Sequence, residues 1–301
     1  MSSVKRIAVR TLPFTKTRMR VVLTGASGML ASALRACSPE GVDLIALSRA
    51  ELDIGDGALV EQQVATLRPE VLLNAAAYTE VDRAESDPQN AERVNELGPG
   101  LIGKAAARWG AKVVHFSTDY VFDGLAESAY GEDATTNPIN VYGRTKLNGE
   151  IALRESGARH LIIRTQWLYG PAGRSFPATM WMRACKGVPT RVIDDQTGVP
   201  TFTEDLARAT WRLLERDGIL NVVNEGSTSW HGVAQRIFSA AGCAHLLSAC
   251  TSDERPTPAR RPMHSRLSTA RLRAQGGALP KWTNALDRYI ARLSADAQCG
   301  R

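Results

Sequence analysis

The chain has 301 residues, 44% of them apolar and 23% charged, which is the make-up of a folded globular protein with room for one large domain or two modest ones. No apolar run approaches the roughly 18 residues of a membrane span, which excludes a bundle of membrane-spanning helices. The net charge of +6 is confined to the two ends: residues 1–18 carry five basic and no acidic groups, residues 255–301 carry ten basic and two acidic, and the body between them is acidic.

That distribution argues against nucleic acid as a partner, because no basic helix interleaved with aromatics is present. The first 18 residues lack the apolar segment of a secretory signal. They are expected to form a disordered leader or start-site extension, with the fold beginning at Met19. The five cysteines (Cys37, Cys185, Cys243, Cys250, Cys299) are scattered, with no C-x-x-C and no His at metal spacing. They read as thiols of a reducing, cytoplasmic compartment, with no metal site.

The first predicted strand, Arg20 to Thr24, leads into a helical pattern from Met29 to Cys37. Further apolar strands are predicted at Val42 to Leu47, Val71 to Asn74, Ala111 to Phe116 and His160 to Thr165. Helix-length segments such as Gly57 to Leu67 and Gln89 to Trp109 separate them. Strands buried on both faces and alternating with helices imply an α/β fold built on a doubly wound parallel sheet. Beyond residue 165 the alternation breaks down, with a late strand expected near Asn221 to Asn224 and a closing helix over Thr283 to Ser294. The expected division is 19–165 for nucleotide binding and 166–301 for a smaller, mainly substrate-binding part interleaved with late sheet elements.

The turn after the first strand, T-G-A-S-G-M-L-A, places Gly25, Ser27 and Gly28 where a backbone must come close to a pyrophosphate. Met29 and Leu30 open the helix whose N–H groups would face that charge. The second strand ends in Ser48 and Arg49 rather than an acid, which suits a 2′-phosphate and hence NADPH, with NADH possible. Asp53 and Ile54 are candidates for the adenine, and the small residues Ala75, Ala76 and Ala77 leave room for the rest of a dinucleotide.

Tyr142 and Lys146 stand four apart on a predicted helix, where an ammonium would lower the phenol's pKa and the pair could relay a proton. Thr118, in S-T-D-Y-V-F-D-G after the fourth strand, is placed to hydrogen-bond a substrate carbonyl. Arg260 and Arg261 lie in a run of six arginines between 255 and 273 without an acid, suited to a diphosphate. Glu80, Asp82 and Glu85 read as solvated helix-start chemistry. Trp230 reads as packing.

Taken with N-A-A-A-Y-T-E-V-D-R-A-E, R-T-Q-W-L-Y-G, D-D-Q-T-G-V-P-T and R-P-T-P-A-R-R-P-M-H-S-R-L, these motifs strongly resemble the dTDP-4-dehydrorhamnose reductase family of extended short-chain dehydrogenases/reductases, from Met19 to about residue 294. The resemblance implies a Rossmann-type sheet with a C-terminal substrate-binding subdomain. It implies a catalytic triad of Thr118, Tyr142 and Lys146, with Asp119 and Trp167 on a sugar nucleotide. The implied reaction is NAD(P)H-dependent reduction of dTDP-4-dehydro-L-rhamnose to dTDP-L-rhamnose, in a monomer or homodimer. Gln166, His264 and Ala31 depart from the family pattern, and Ala33 replaces a glutamate through which some relatives dimerise with magnesium. Two alternatives remain: a reductase of another dTDP-4-keto-6-deoxy sugar, and a non-catalytic regulatory subunit like the one that binds methionine adenosyltransferase. That subunit lacks a tryptophan at the position of Trp167.

Overall fold

The computed structural model describes residues 18–299. Residues 1–17 of the expected leader, and the side chain of Cys299, lie outside the described residues. Six parallel strands form the central sheet: β1 (Met19–Thr24), β2 (Val42–Leu47), β3 (Val71–Asn74), β4 (Lys112–Thr118), β5 (His160–Thr165) and β6 (Gly218–Asn221). Their order is β6-β5-β4-β3-β1-β2. The chain therefore moves outward from β1 to β2, then returns to build β3 on the other side of β1. The carboxyl ends of β1 and β3 flank the point where strand order reverses, where such sheets open a crevice.

Alternation along β1 assigns the two faces of the sheet. Val21 and Leu23 point into one core with Leu34, Leu73, Val114 and Ile163, whereas Val22 points into the other with Val60, Leu72, Ile102 and Leu153. Helices α1 (Met29–Ala36), α2 (Gly57–Leu67), α3 (Gly98–Trp109) and α4 (Val141–Glu155) are followed by α5 (Phe176–Cys185), α6 (Thr203–Arg212), α7 (Trp230–Ala240) and α8 (Trp282–Cys299). α1 packs with α6 over the first face; α2, α3 and α4 cover the second.

The predicted helix Gln89 to Trp109 is interrupted by one π-turn at Arg93–Leu97. The turn rolls Asn95 inward, where its amide accepts from Tyr78 N (2.8 Å) and donates to Tyr78 O (3.0 Å). Gly149 of α4 lies against this turn so closely that a Cβ there would sit 2.0 Å from Asn95 O.

Two strand limits move. β4 runs two residues further than expected because Ser117 and Thr118 keep their register with Arg164 and Thr165 of β5. The late strand is Gly218–Asn221, in register with Leu161 to Arg164, and not Asn221 to Asn224. Beyond it Asn224 serves as an anchor instead, accepting from Phe202 N and donating to Asp205. A third apolar cluster of Tyr169, Met180, Phe202, Ile237, Phe238, Leu286 and Tyr289 joins α5, α7 and α8. Among the described residues, no helix is long and apolar enough to cross a membrane.

Candidate active site

The glycine turn sits at the reversal point. Gly25 has φ +70°, and a Cβ there would lie 2.8 Å from the backbone of Ala76, so both conformation and space demand glycine. Gly28 begins α1 with no side-chain cap, leaving the helix's first N–H groups for another acceptor. These features fit a dinucleotide pyrophosphate. A cavity of about 220 Å³ opens beside them, and its walls include Gly25, Ser27, Gly28, Arg49, Asp53, Ile54, Ala75, Ala76 and Ala77.

The side chain of Leu30 turns into the hydrophobic core, because the inward face of α1 must cover the sheet, so the backbone N–H groups are the part of Met29 and Leu30 that can face a pyrophosphate. Asp53 does not present a free carboxylate. Arg93 Nη1 lies 3.0 Å from each of its oxygens and Gly55 N donates at 2.9 Å. Burial pushes its pKa up, but these partners outweigh it and hold the carboxyl below its usual value. Arg49 is mostly exposed, with Nε 3.5 Å from Asp53.

At the next strand end, Thr118 closes β4. α4 is nucleated beside it by Asn140, whose side chain accepts from Gly143 N at 2.7 Å, and Glu85 accepts from Val141 N at 2.8 Å. Gly143 lets the helix touch the strand end directly: a Cβ there would be 2.1 Å from Tyr120 O. The result sets Tyr142 next to Thr118, with its ring edge-on to Tyr120 at 5.7 Å.

The expected effect of lysine on the phenol is not what the structure shows. Burial pushes Tyr142 up to about 12, against the hydrogen bond from Thr118. Lys146 is 2% exposed and turns toward the strand, donating to Phe116 O at 2.6 Å and lying 3.3 Å from His115 Nε2. Burial lowers Lys146 to about 8, opposed by Glu150.

Asp119 is buried, and its oxygens take hydrogen bonds from Ser265, Gln166 and Thr118. Burial raises it to about 6. Asp119 therefore ties Thr118 to the segment around Ser265. Gln166 tightens the same joint, donating to Ser265 O and accepting from Leu267 N.

Trp167 has φ +47° and stacks on Trp230 with ring centroids 3.7 Å apart. Trp230 packs against the third apolar cluster, as expected, and also lines a cavity of about 1270 Å³ shared by Phe176, Arg255, Arg260 and Arg261. Arg260 is exposed on that wall. Arg261 is not free for a diphosphate: its two terminal nitrogens fork onto Asp82 at 2.9 and 2.8 Å. Asp82 and Glu85 thus hold structural partners, while Glu80 and Glu85 remain exposed to solvent as expected. Of the run, Arg261 and Arg271 find acids elsewhere in the chain, Arg271 with Glu132 and Asp133.

The sequence reading missed His115, Asn74, Glu150 and Arg164. Arg164 and Glu150 form a buried ion pair at 2.6 Å beneath the site. The signal for all four was polar residues within apolar strands or on the inner face of the Tyr/Lys helix.

A glycine turn at the strand-order reversal, with a hydroxyl, a phenol and an ammonium at the neighbouring strand end, defines a Rossmann-type oxidoreductase of the short-chain dehydrogenase/reductase class. The chain belongs to the family described as RmlD substrate binding domain, whose family model matches residues 19–295. Similar proteins include the dTDP-4-dehydrorhamnose reductases of Shigella flexneri (40% identical over 294 residues) and Sinorhizobium fredii strain NBRC 101917 / NGR234 (36% over 289 residues). Each alignment covers 91% of this chain and 98% of the relative. A solved dTDP-4-dehydrorhamnose reductase from Bacillus anthracis str. Ames, in complex with NADP, superposes with a TM-score of 0.88 at 35% identity, covering 91% of this chain and 99% of that one.

Proposed function

We propose that this protein reduces the C4 keto group of dTDP-4-dehydro-L-rhamnose to give dTDP-L-rhamnose, using NADPH. The observation that carries the reading is the contact of Thr118 with Tyr142 at the carboxyl end of β4, beside the glycine turn. Gly25, Gly28 and the Ala75–Ala77 strand end would hold the dinucleotide, and Arg49 at the rim of its cavity suits a 2′-phosphate. When bound, that cofactor supplies the hydride for C4.

The protein supplies the rest. Thr118 orients the carbonyl oxygen, and Tyr142 delivers its proton to that oxygen as negative charge develops. A phenol near pKa 12 is fully protonated at neutral pH, the form an acid must hold before reduction. Lys146, one turn further along α4, would hold the nicotinamide ribose of the bound cofactor. Trp167, Trp230 and the Arg260 wall shape the larger cavity for the sugar nucleotide. The test is turnover of dTDP-4-dehydro-L-rhamnose with NADPH and NADH in turn, the product's C4 configuration being read by NMR. Tyr142→Phe is expected to lower kcat by at least about 100-fold; near-wild-type turnover would remove Tyr142 from the reaction.

A further inference from the structure

Behind Lys146 lies a row of polar side chains that no step above uses. Thr24, Asn74 and His115 are register neighbours across β1, β3 and β4, and each is at most 1% exposed. Thr24 Oγ1 donates to Asn74 Oδ1 at 2.8 Å, Asn74 Nδ2 meets His115 Nδ1 at 3.0 Å, and His115 Nε2 faces Lys146 Nζ at 3.3 Å. Ala76 N, in the cofactor cavity wall, donates to Thr24 Oγ1 at 3.3 Å. A polar row through the middle of a parallel sheet is costly unless every member is satisfied.

Proton bookkeeping gives the row its consequence. Burial and the neighbouring Lys146 hold His115 well below its ordinary pKa, so the imidazole is neutral with a single N–H. With Asn74 Nδ2 donating to Nδ1, that hydrogen sits on Nε2 and points at Nζ, which can accept it only as a neutral amine. With the Asn74 amide turned over, Nδ1–H donates to Oδ1, and Nε2 becomes an acceptor for an ammonium. The two arrangements differ by one proton on Nζ, exchanged with water. Phe116 O accepts from Nζ in both. The other titratable groups around Lys146 are Tyr142 and Glu150, one turn either side on α4, and Glu150 is committed to Arg164 and Ser117.

We propose that Thr24, Asn74 and His115 form a positioning relay for Lys146, in which the direction of the Asn74 amide, set by Thr24, governs whether Lys146 carries a proton. The proposal rests on Lys146 and Tyr142 being the proton-transfer pair only for its catalytic consequence; the relay itself is a property of the free protein.

Thr24→Val and His115→Leu discriminate. Thr24→Val removes the donor that holds Oδ1 away from the imidazole, so the ammonium arrangement gains. His115→Leu removes the acceptor that arrangement requires. In the ligand-free protein, the Lys146 ε-carbon signal from 13C-lysine labelling, assigned by its loss in Lys146→Arg, is titrated with pH. The Lys146 pKa is expected to rise by at least about half a unit in Thr24→Val and to fall by about one unit or more in His115→Leu, since a hydrogen bond to a charged group is of that order. His115→Gln, which restores an acceptor, is expected to recover at least half of the fall, and it stands in if the leucine variant does not fold. Shifts of equal sign, or no shift in Thr24→Val, overturn the relay. If both shifts occur but the pH limb of kcat stays put, the relay stands and the assignment of Lys146 to proton transfer fails.

Discussion

Replacing Glu150 by Gln tests the ground on which the catalytic helix rests. Arg164 is 3% and Glu150 1% exposed. The guanidinium donates Nε to Oε1 at 3.0 Å and Nη2 to Oε2 at 2.6 Å, while Nη1 reaches Glu132 O at 3.1 Å. Arginine cannot shed its proton, so Gln leaves a buried cation with one of its two acceptors turned into a donor. Breaking such a pair from one side costs about 3 kcal/mol or more. At a urea slope of roughly 3 kcal/mol per molar, the unfolding midpoint drops by about 1 M. The double variant Glu150→Leu with Arg164→Leu removes both charges and is expected to lie within about 1 kcal/mol of wild type. A midpoint shift below about 0.3 M in the single variant, or a double variant less stable than the single, would refute the reasoning.

Gly25→Ala forces a side chain into left-handed backbone and against Ala76; NADPH Kd by calorimetry is expected to rise at least about tenfold, with a stability loss of about 1–2 kcal/mol, and an unchanged Kd contradicts the assignment. Asp119 is raised in the folded protein to about 6 from 3.8. Its favourable contribution is therefore present below pH 4 and lost as pH rises through 6, so Asp119→Asn should flatten the stability profile between those values. Asp82→Ala removes the anchor that holds Arg261 in the wall of the larger cavity; stability should fall by less than about 1 kcal/mol, while the loosened wall raises KM for the nucleotide sugar several-fold at near-constant kcat. Arg49→Asp should reduce the preference for NADPH over NADH by at least about tenfold, measured as the ratio of kcat/KM.

What was legible in the sequence was whatever the chain specifies over a few residues. β2, β3 and β5 are mostly apolar runs, broken only by Asp43 in β2 and by polar residues at or near the strand ends, and α2 is signalled by Asp56, which accepts from Ala58 N and Leu59 N. Gly25, Gly28, Thr118, Tyr142 and Lys146 were readable because each occupies a fixed place relative to a strand end or helix turn. Misreadings came from distant pairings. Nothing within six residues of Arg261 shows that Asp82 will occupy it, and nothing near Asp119 announces Ser265. His115 escaped notice because it sits in an apolar strand; only sheet register, aligning it with Asn74 and Thr24, makes it a member of a row. The π-turn at Arg93–Leu97 exists to satisfy Tyr78 and to meet Gly149, two partners that lie in other elements.

The ties from the segment around Arg261 and Ser265 span 179 residues to Asp82 and 146 residues to Asp119. On the ribosome, β1 to β5 and the Tyr/Lys helix emerge long before the residues that clamp them, and β6 (Gly218–Asn221) emerges in between. The nascent chain must therefore carry an assembled nucleotide crevice whose reaction end is unfinished, with the Asp119 carboxyl still open to water. Contacts of such sequence separation slow the final closure, so refolding should show NADPH binding recovering before turnover does. A chain ended before Arg261 lacks both ties and is expected to hold its dinucleotide better than it turns substrate over.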